Sequence, residues 1–264
     1  LGQLAQPVAQ AHPGLSGVVP LPDGQGALTA RLELAAGSER SLDVMYYIWH
    51  DDVSGLLLEA LRGAAARGVR VRLLVDDNGV AGMDHILAAM HAQPNFEVRL
   101  FNPSTVRNPK MAGYVLYPLR MNRRMHNKAF IVDGAVAIVG GRNIGDEYFD
   151  VGDKPSYLDL DVLGVGKVVT DTAAIFDEYW NSEPVLALDQ VITGTGDMAA
   201  FDAEFAAATA SEAGQRYLAD ARSAADQLAA GHTPKLEWTD VQVVADDPSK
   251  GMGRVPRDQL MINR

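Results

Sequence analysis

Short apolar runs alternate with amphipathic segments between residues 42 and 101, and this alternation limits the possible folds more than any other feature. Leu42–Trp49, Val69–Val75 and Phe96–Phe101 have the length and composition of buried strands. The segments between them, Ser54–Arg67 and Met83–His91, carry apolar residues at helical spacing. This β-α-β-α-β order predicts an α/β fold in which a mixed, mainly parallel sheet has helices on both faces.

Composition divides the chain into three parts. Residues 1–25 contain four prolines and several glycines, so we expect an extended N-terminal arm there. Residues 26–190 hold the strand and helix pattern. Residues 191–264 are predicted to add an Ala-rich helical segment, a final strand at Leu236–Ala245 and a linker. The chain begins at Leu1, without a methionine and without a signal pattern, and we therefore expect the natural start to be missing.

Charge is distributed unevenly along the chain. The net charge of −11 consists of +7 between residues 98 and 132, where there is no Asp or Glu, and −18 elsewhere. A basic segment on an acidic chain predicts a local anion site rather than a general nucleic-acid surface. The absence of cysteine excludes a disulfide scaffold, a Cys-ligated metal site and a thiol nucleophile.

A β-hairpin is predicted at the end of the basic segment. Met125–Val132 and Ala135–Val139 are apolar runs joined by Asp133-Gly134, a step typical of tight hairpins. On a strand, His126 and Lys128 face the same side, whereas Asp133 at the turn faces away. An imidazole beside an ammonium suits a phosphodiester. The neutral ring nitrogen can attack phosphorus while the ammonium neutralises the non-bridging oxygens.

Further candidate ligands follow the hairpin. Gly140 and Gly141 would let backbone N–H groups approach a phosphate, and Asn143 would add a neutral donor. Glu147 is a candidate contact to the same site, although an exposed salt bridge is equally consistent with its position.

Basic residues precede the reactive strand. Arg120, Arg123 and Arg124 are candidates for binding anionic headgroups. They alternate with apolar residues, a mixture suited to a membrane surface. The apolar members are Tyr114, Leu116, Tyr117, Leu119 and Met121.

These residues resemble the signature of the phospholipase D superfamily. That signature is H-x-K-x4-D followed, after six residues, by G-[SG]-x-N. It is matched by His126, Lys128, Asp133, Gly140 and Asn143. The surrounding sequence, over 122–128 and 140–149, looks closest to bacterial cardiolipin synthases of this type. The strand and helix order from about residue 27 to residue 180 also resembles the catalytic half of these enzymes.

The resemblance implies a two-step phosphatidyl transfer that needs no metal or cofactor. One histidine becomes a phosphohistidine and a second protonates the leaving alcohol, so His126 would be nucleophile or acid. Lys128 and Asn143 would bind the phosphate, and the motif aspartate, Asp133, is mainly structural in the family. A carboxylate on the following strand often orients the histidine. Asp159 is the best match, and Asp161 lies on the same face of a predicted strand.

The sequence departs from the family pattern in two respects. Gly141 replaces the usual serine, as in the cardiolipin-synthase-like subset. Active members bring together two motifs, and this chain has one. Either a second motif follows in a longer chain, or two copies pair across a two-fold axis.

The implied partners are phospholipids, with phosphatidylglycerol first and phosphatidylethanolamine second, and a membrane surface. We therefore expect peripheral attachment to the bacterial inner membrane. A homodimeric phospholipase D or nuclease that hydrolyses its substrate is the main alternative, and an inactive half that only binds phosphate is another. Nucleic acid is disfavoured because the acidic remainder of the chain would repel a long polyanion.

Other residues with possible functions have structural interpretations. His50 is interpreted as a cap or surface residue, and Asp76-Asp77 as a polar turn rather than part of a metal site. Tyr46, Tyr47 and Trp49 are expected in the core, with a lipid groove as the alternative.

Overall fold

The computed structural model describes residues 2–104, 106–107, 122–150, 157–230 and 234–261. Arg120 and the apolar residues predicted to flank it lie outside these ranges. The helices are α1 (Gly2–Gln10), α2 (Gly24–Ala36), α3 (Asp51–Ala66), α4 (Asp84–His91), α5 (Lys167–Trp180), α6 (Met198–Ala210) and α7 (Glu212–Ala229). The strands are β1 (Ser16–Leu21), β2 (Ser41–Tyr46), β3 (Arg70–Asp76), β4 (Phe96–Phe101), β5 (Ala129–Val132), β6 (Val136–Gly140), β7 (Asp161–Gly166), β8 (Val185–Ala187) and β9 (Glu237–Thr239).

The described strands form one sheet in the order β8-β4-β3-β2-β5-β6-β7-β1-β9. The mixed α/β class is confirmed, but the expectation of a mainly parallel sheet is wrong. Among the described strands, only β2–β3 and β3–β4 pair in parallel, and the other six pairings are antiparallel. Parallel neighbours need a crossover connection, which α3 and α4 supply. β5 and β6 are joined instead by a tight turn. β7 continues the sheet beyond β6, β8 lies at the edge beside β4, and β1 and β9, from near the two ends of the sequence, complete the other edge.

The N-terminal residues belong to the folded domain, so the expected extended arm is wrong for residues 2–25. α1 contains Pro7, and β1 pairs with β7 along its whole length. On its other side, β1 pairs with β9 only from Ser16 to Val18. Pro20 therefore lies where one edge of the strand needs no N–H donor, which is where a sheet tolerates proline.

Each face of the sheet has its own hydrophobic core, because alternate residues of a strand point to opposite faces. Val44 and Tyr46 of β2 join the larger core, which α2, α3, α4, α6 and α7 cover. Met45, between them, joins the smaller core, to which α5 contributes Phe176 and Tyr179. The predicted placement of helices on both faces is confirmed. Within the described ranges, no helix has both the length and the apolar character needed to cross a bilayer.

The C-terminal segment, residues 241–261, packs against the α5 side of the sheet instead of forming the expected linker. Its Val241, Val243 and Ala245 contact the smaller core, and two 3-10 turns follow, at Pro248–Met252 and Arg257–Gln259. Only Glu237–Thr239 of the predicted final strand pairs with the sheet. The alternating apolar residues that predicted a strand up to Ala245 are therefore packed against the core, but beyond Thr239 they do not pair with another described strand.

Candidate active site

The predicted hairpin is confirmed and positions the candidate site. β5 and β6 pair with Val132 opposite Val136, which leaves three residues, Asp133 to Ala135, in the loop. Ala135 N donates to Val132 O at 2.9 Å, and the two central residues of this turn, Asp133 and Gly134, both have positive φ. β5 begins only at Ala129. The residues from His126 to Lys128 therefore form the extended approach to the strand, outside its ladder, and their side chains are available to a cavity.

His126 and Lys128 line a cavity of about 280 Å³ between the sheet, α5 and the C-terminal segment. Its apolar wall includes Met45 from β2 and Val168 and Ile175 from α5. The C-terminal segment contributes residues 241–245 and Met261 to the lining. The cavity thus brings the two motif residues to a surface that is mostly apolar.

The environment of His126 favours its neutral form. Its ring packs on the ring of Tyr47, with 4.4 Å between the centroids. Partial burial lowers the pKa of His126, and the positive charges of Lys128 and Lys250 lower it further. A hydrogen bond to the main chain of Arg124 acts in the opposite direction. A neutral imidazole at pH 7 is the form that can attack phosphorus.

The orienting role predicted for Asp159 is not found. The main chain of Arg124 provides the hydrogen bond to the His126 ring, whereas Asp159 acts on Lys128. Burial lowers the pKa of Lys128, and the negative charge of Asp159 partly offsets this effect. The Lys128 ammonium donates to the backbone oxygen of His126 at 2.7 Å, which holds the two residues together. Asp159 accepts from the backbone N–H of Leu160 at 2.8 Å.

Asp161, the alternative orienting carboxylate, is fully buried and forms a 2.8 Å ion pair with Arg31. This pairing makes it unavailable to His126. Its charge still reaches Lys128, whose pKa it raises.

The two motif glycines allow close approach of carboxylates. A side-chain carbon at Gly140 would collide with Asp161, and one at Gly141 would collide with Asp159. The predicted phosphate cradle is not supported at Gly141, because its N–H already donates to Leu160 O at 3.1 Å. Gly140 does line the cavity.

Asn143 and Asp133 are committed to structural hydrogen bonds. Asn143 is 4% exposed. Its carboxamide accepts from Ile48 N at 3.1 Å and donates to the Tyr148 hydroxyl at 2.9 Å. The carboxamide nitrogen that was predicted to donate to phosphate therefore already donates within the fold. The Asp133 carboxylate lies away from the cavity, at the hairpin turn. It accepts from the backbone N–H groups of residues 39, 40 and 41, just before and at the start of β2.

The predicted headgroup-binding side chains are also placed elsewhere. Arg124 is buried and pairs with Asp76 at 2.9 Å. The Arg123 guanidinium packs against Gly253 of the C-terminal segment. These arginines connect parts of the fold.

Glu147 forms a salt bridge, which was the alternative interpretation of its position. Its carboxylate oxygen lies 3.4 Å from His50 Nε2. His50 also pairs with Asp51 at 2.7 Å. The three residues place ligand atoms within 4.8 Å of one another and are the described group that could hold a metal ion. Asp76 and Asp77 form the predicted polar turn: Asp76 accepts from Asn78 N at 2.9 Å.

Sequence reasoning missed the contributions of Tyr47 and the C-terminal segment. Tyr47 is half-buried and contacts His126, whereas Tyr46 and Trp49 lie in the core as expected. In the segment, Lys250 and Asp246 form an ion pair of 2.6 Å. Asp247-Pro248 is an N-cap followed by proline at the first helical position. That pattern was a readable sign of an ordered turn.

Comparison with known proteins agrees with the fold and identifies the family. The fold is similar to that of phosphatidylserine synthase from Haemophilus influenzae Rd KW20, with a TM-score of 0.52 and 14% identity. That similarity covers 77% of this chain and 47% of the other. Residues 32–180 match the family described as cardiolipin synthase, PLD-like domain. The chain therefore belongs to the phospholipase D-like family of cardiolipin synthases.

Two relatives give the extent of the similarity. The chain is 45% identical over its whole length to cardiolipin synthase C of Escherichia coli (strain K12), of which it covers 56%. It is 33% identical over 144 residues to cardiolipin synthase 2 of Staphylococcus epidermidis (strain ATCC 35984), a match that covers 54% of this chain and 28% of that protein. The chain thus spans about half the length of cardiolipin synthase C.

Proposed function

We propose that residues 26–190, together with the C-terminal segment, form one catalytic half of a phosphatidyltransferase that makes cardiolipin. His126 is the nucleophile and Lys128 binds the phosphate. The observation that carries this proposal is that the His126 ring and the Lys128 ammonium line one partly apolar cavity, with the ammonium donating to the His126 backbone oxygen. The lowered pKa of His126 favours the neutral ring that the attack requires. Family membership of the chain supports it.

In the first step, the free ring nitrogen of His126 attacks phosphorus of a phospholipid such as phosphatidylglycerol. A bond from nitrogen to phosphorus forms, and the bond from phosphorus to the headgroup oxygen breaks. The hydrogen bond to the Arg124 main chain holds the other nitrogen and stabilises the positive charge that the ring acquires. Lys128 offsets charge on the non-bridging oxygens.

In the second step, a hydroxyl of a second phosphatidylglycerol attacks the phosphohistidine and restores the free ring. A general acid must protonate the first leaving alcohol, and it then accepts the proton of the attacking hydroxyl. In the described part of the chain, His126 is the histidine that lines the cavity. We therefore propose that the acid is a second histidine, from a second motif in a longer chain or from a second copy.

Lipid is the preferred substrate because much of the cavity wall is apolar and the chain as a whole is acidic. Phosphatidylethanolamine is the second candidate donor. The active protein would meet its substrate at the surface of the bacterial inner membrane as a peripheral protein.

The test is to incubate the chain with phosphatidylglycerol vesicles, quench with denaturant at mildly alkaline pH, where the nitrogen–phosphorus bond survives, and measure the covalent adduct and the lipid products by mass spectrometry. We expect a phosphatidyl adduct on His126, and cardiolipin as product where the second histidine is present, in a dimer of the chain or in a longer chain with a second motif. His126→Ala should remove the adduct and lower turnover by about a thousandfold or more. The control is His85→Ala, an exposed histidine on α4.

Retained turnover in His126→Ala would contradict the proposal. Phosphatidic acid as the sole product would replace transfer with hydrolysis. A solution mass, measured in parallel, separates a single-motif dimer from a half that awaits a second motif.

A further inference from the structure

The predicted arginines Arg123 and Arg124 are placed away from the cavity, whereas the C-terminal segment brings a lysine, Lys250, close to it. We propose that Lys250 is a second cationic ligand for the phosphodiester group, beside Lys128, and that Asp246 competes with the substrate phosphate for its ammonium. This proposal deepens the proposed function and rests on it.

The segment that carries Lys250 is fixed in place by several contacts. The Tyr179 hydroxyl of α5 donates to Asp246 O at 2.8 Å. Asp247 caps the 3-10 turn by accepting from Ser249 N at 2.7 Å. Gly251 is buried, and a side-chain carbon there would lie 2.9 Å from the ring of Phe101. Lys250 is therefore delivered by an ordered turn, as a binding residue must be.

Lys250 and Asp246 form a pair that is largely shielded from water. The Lys250 Nζ lies 2.6 Å from the Asp246 carboxylate, and the two side chains are 11% and 15% exposed. Asp246 also accepts from Met261 N at 2.6 Å, and Met261 lines the cavity. The pair thus stands beside the cavity wall that faces His126 and Lys128.

Both members of the pair lie close enough to the reactive residues for their charges to act on them. The positive charge of Lys250 lowers the pKa of His126 and that of Lys128. The negative charge of Asp246 raises the pKa of His126, and His126 in turn lowers that of Asp246. A phosphate bound between His126 and Lys128 would therefore experience both charges, from a pair that adjoins the lining residues Ala245 and Met261.

The two members of the pair should have opposite effects on an anion. Lys250 attracts the phosphate, whereas Asp246 repels it and holds the ammonium in an ion pair. Removing Lys250 should weaken anion binding, and neutralising Asp246 should strengthen it because the ammonium is released. A segment with a purely structural role would show no such reversal of sign.

The experiment measures binding of inorganic phosphate and of a soluble short-chain phosphatidylglycerol to the chain, by calorimetry at one fixed pH. We expect Lys250→Met to weaken both affinities by about tenfold and Asp246→Asn to strengthen both by about threefold. Lys250→Arg should stay within a few-fold of the wild type. Lys235→Met is the matched control, because Lys235 is 88% exposed and pairs with Glu237 on the surface.

An NMR titration of His126 gives an independent readout. His126 is faced by Lys128, Lys250 and Asp246, so its pKa should rise in Lys250→Met and fall in Asp246→Asn. Unchanged anion affinity in Lys250→Met would overturn the proposal even if the His126 pKa moves. Equal weakening of anion binding by Lys250→Met and Asp246→Asn, together with a loss of affinity in Lys250→Arg, would also overturn it.

Failure of the proposed function has a different pattern. If Lys128→Met leaves both affinities unchanged, the cavity does not bind phosphate in the way we propose. If Lys128→Met weakens binding and Lys250→Met does not, only the role of Lys250 is wrong.

Discussion

Two groups of charged side chains lie near each other in this fold and differ in how completely they are paired. In the first, the buried guanidinium of Arg31 donates to the Tyr46 hydroxyl at 2.9 Å, to Ala27 O at 2.7 Å and to Asp161 at 2.8 Å. In the second, the Lys128 ammonium donates to a single backbone oxygen and faces a cavity. In the first group every guanidinium nitrogen has a protein partner, and in the second the ammonium keeps donor capacity for a ligand.

The difference follows from the cost of burying charge. A charge removed from water must find close partners, and each of the three guanidinium nitrogens of the fully buried Arg31 has one. A partly exposed lysine keeps its solvation until a phosphate replaces it. Asp161 and Asp159 are two residues apart, yet one belongs to each group. How completely a charged side chain is paired therefore distinguishes structural residues from site residues better than residue type does.

The largest effect should come from breaking the first group. Arg31→Met leaves the fully buried Asp161 without its closest cation, and we expect the free energy of unfolding to fall by about 3–5 kcal/mol. Urea denaturation followed by circular dichroism measures the change. The surface pair provides the control: Lys235→Met should change the free energy by less than about 1 kcal/mol. Similar losses in both variants would remove the distinction between the two groups.

Features set by neighbours in sequence were predicted well. The Asp133-Gly134 turn fixes the register of β5 and β6, and β4 has the predicted bounds of Phe96–Phe101. Such elements depend on local dihedral preferences and side-chain alternation, which one sequence displays.

The roles of the motif side chains were harder to predict, because their partners are distant in sequence. Arg124 is neutralised by Asp76, 48 residues away, and Asn143 is bonded to Ile48, 95 residues away. Nothing near either residue indicates that its polar groups are already used. The contribution of the C-terminal segment was hidden for the same reason, since it reaches the cavity only through tertiary packing.

A smaller effect is expected at Asp133, which belongs to the sequence motif but not to the cavity. Its carboxylate satisfies three backbone N–H groups, so Asp133→Ala should lower the free energy of unfolding by about 1–3 kcal/mol. Phosphate affinity should stay at the wild-type value, because the carboxylate points away from His126. Asp133→Asn keeps one acceptor oxygen and should lose less stability. A large loss of phosphate affinity in a well-folded Asp133→Ala would assign this residue to the site after all.

The smallest effect is expected at Glu33, where we test whether an incompletely paired charged side chain is enough to identify a ligand-binding site. Glu33, on the same helix as Arg31, is partly buried, and its Oε1 has no hydrogen-bond partner among the residues described. Burial raises the pKa of Glu33 to about 7 from an ordinary 4.5. The native state therefore binds more protons than the unfolded state between these values, and this carboxyl lowers stability as pH rises through that range.

Glu33→Gln should consequently be more stable than the wild type at pH 8, by about 1 kcal/mol after allowance for solvent screening. At pH 5 the Glu33 carboxyl of the wild type is more fully protonated than at pH 8, in both the native and the unfolded state. The difference in stability between Glu33→Gln and the wild type should therefore shrink toward zero. Thermal unfolding at the two pH values measures it, with phosphate affinity unchanged throughout. If Glu33→Gln instead weakens phosphate binding, incomplete pairing alone would be a sufficient mark of function. If only stability responds, a second condition is needed, namely a cavity that admits the ligand.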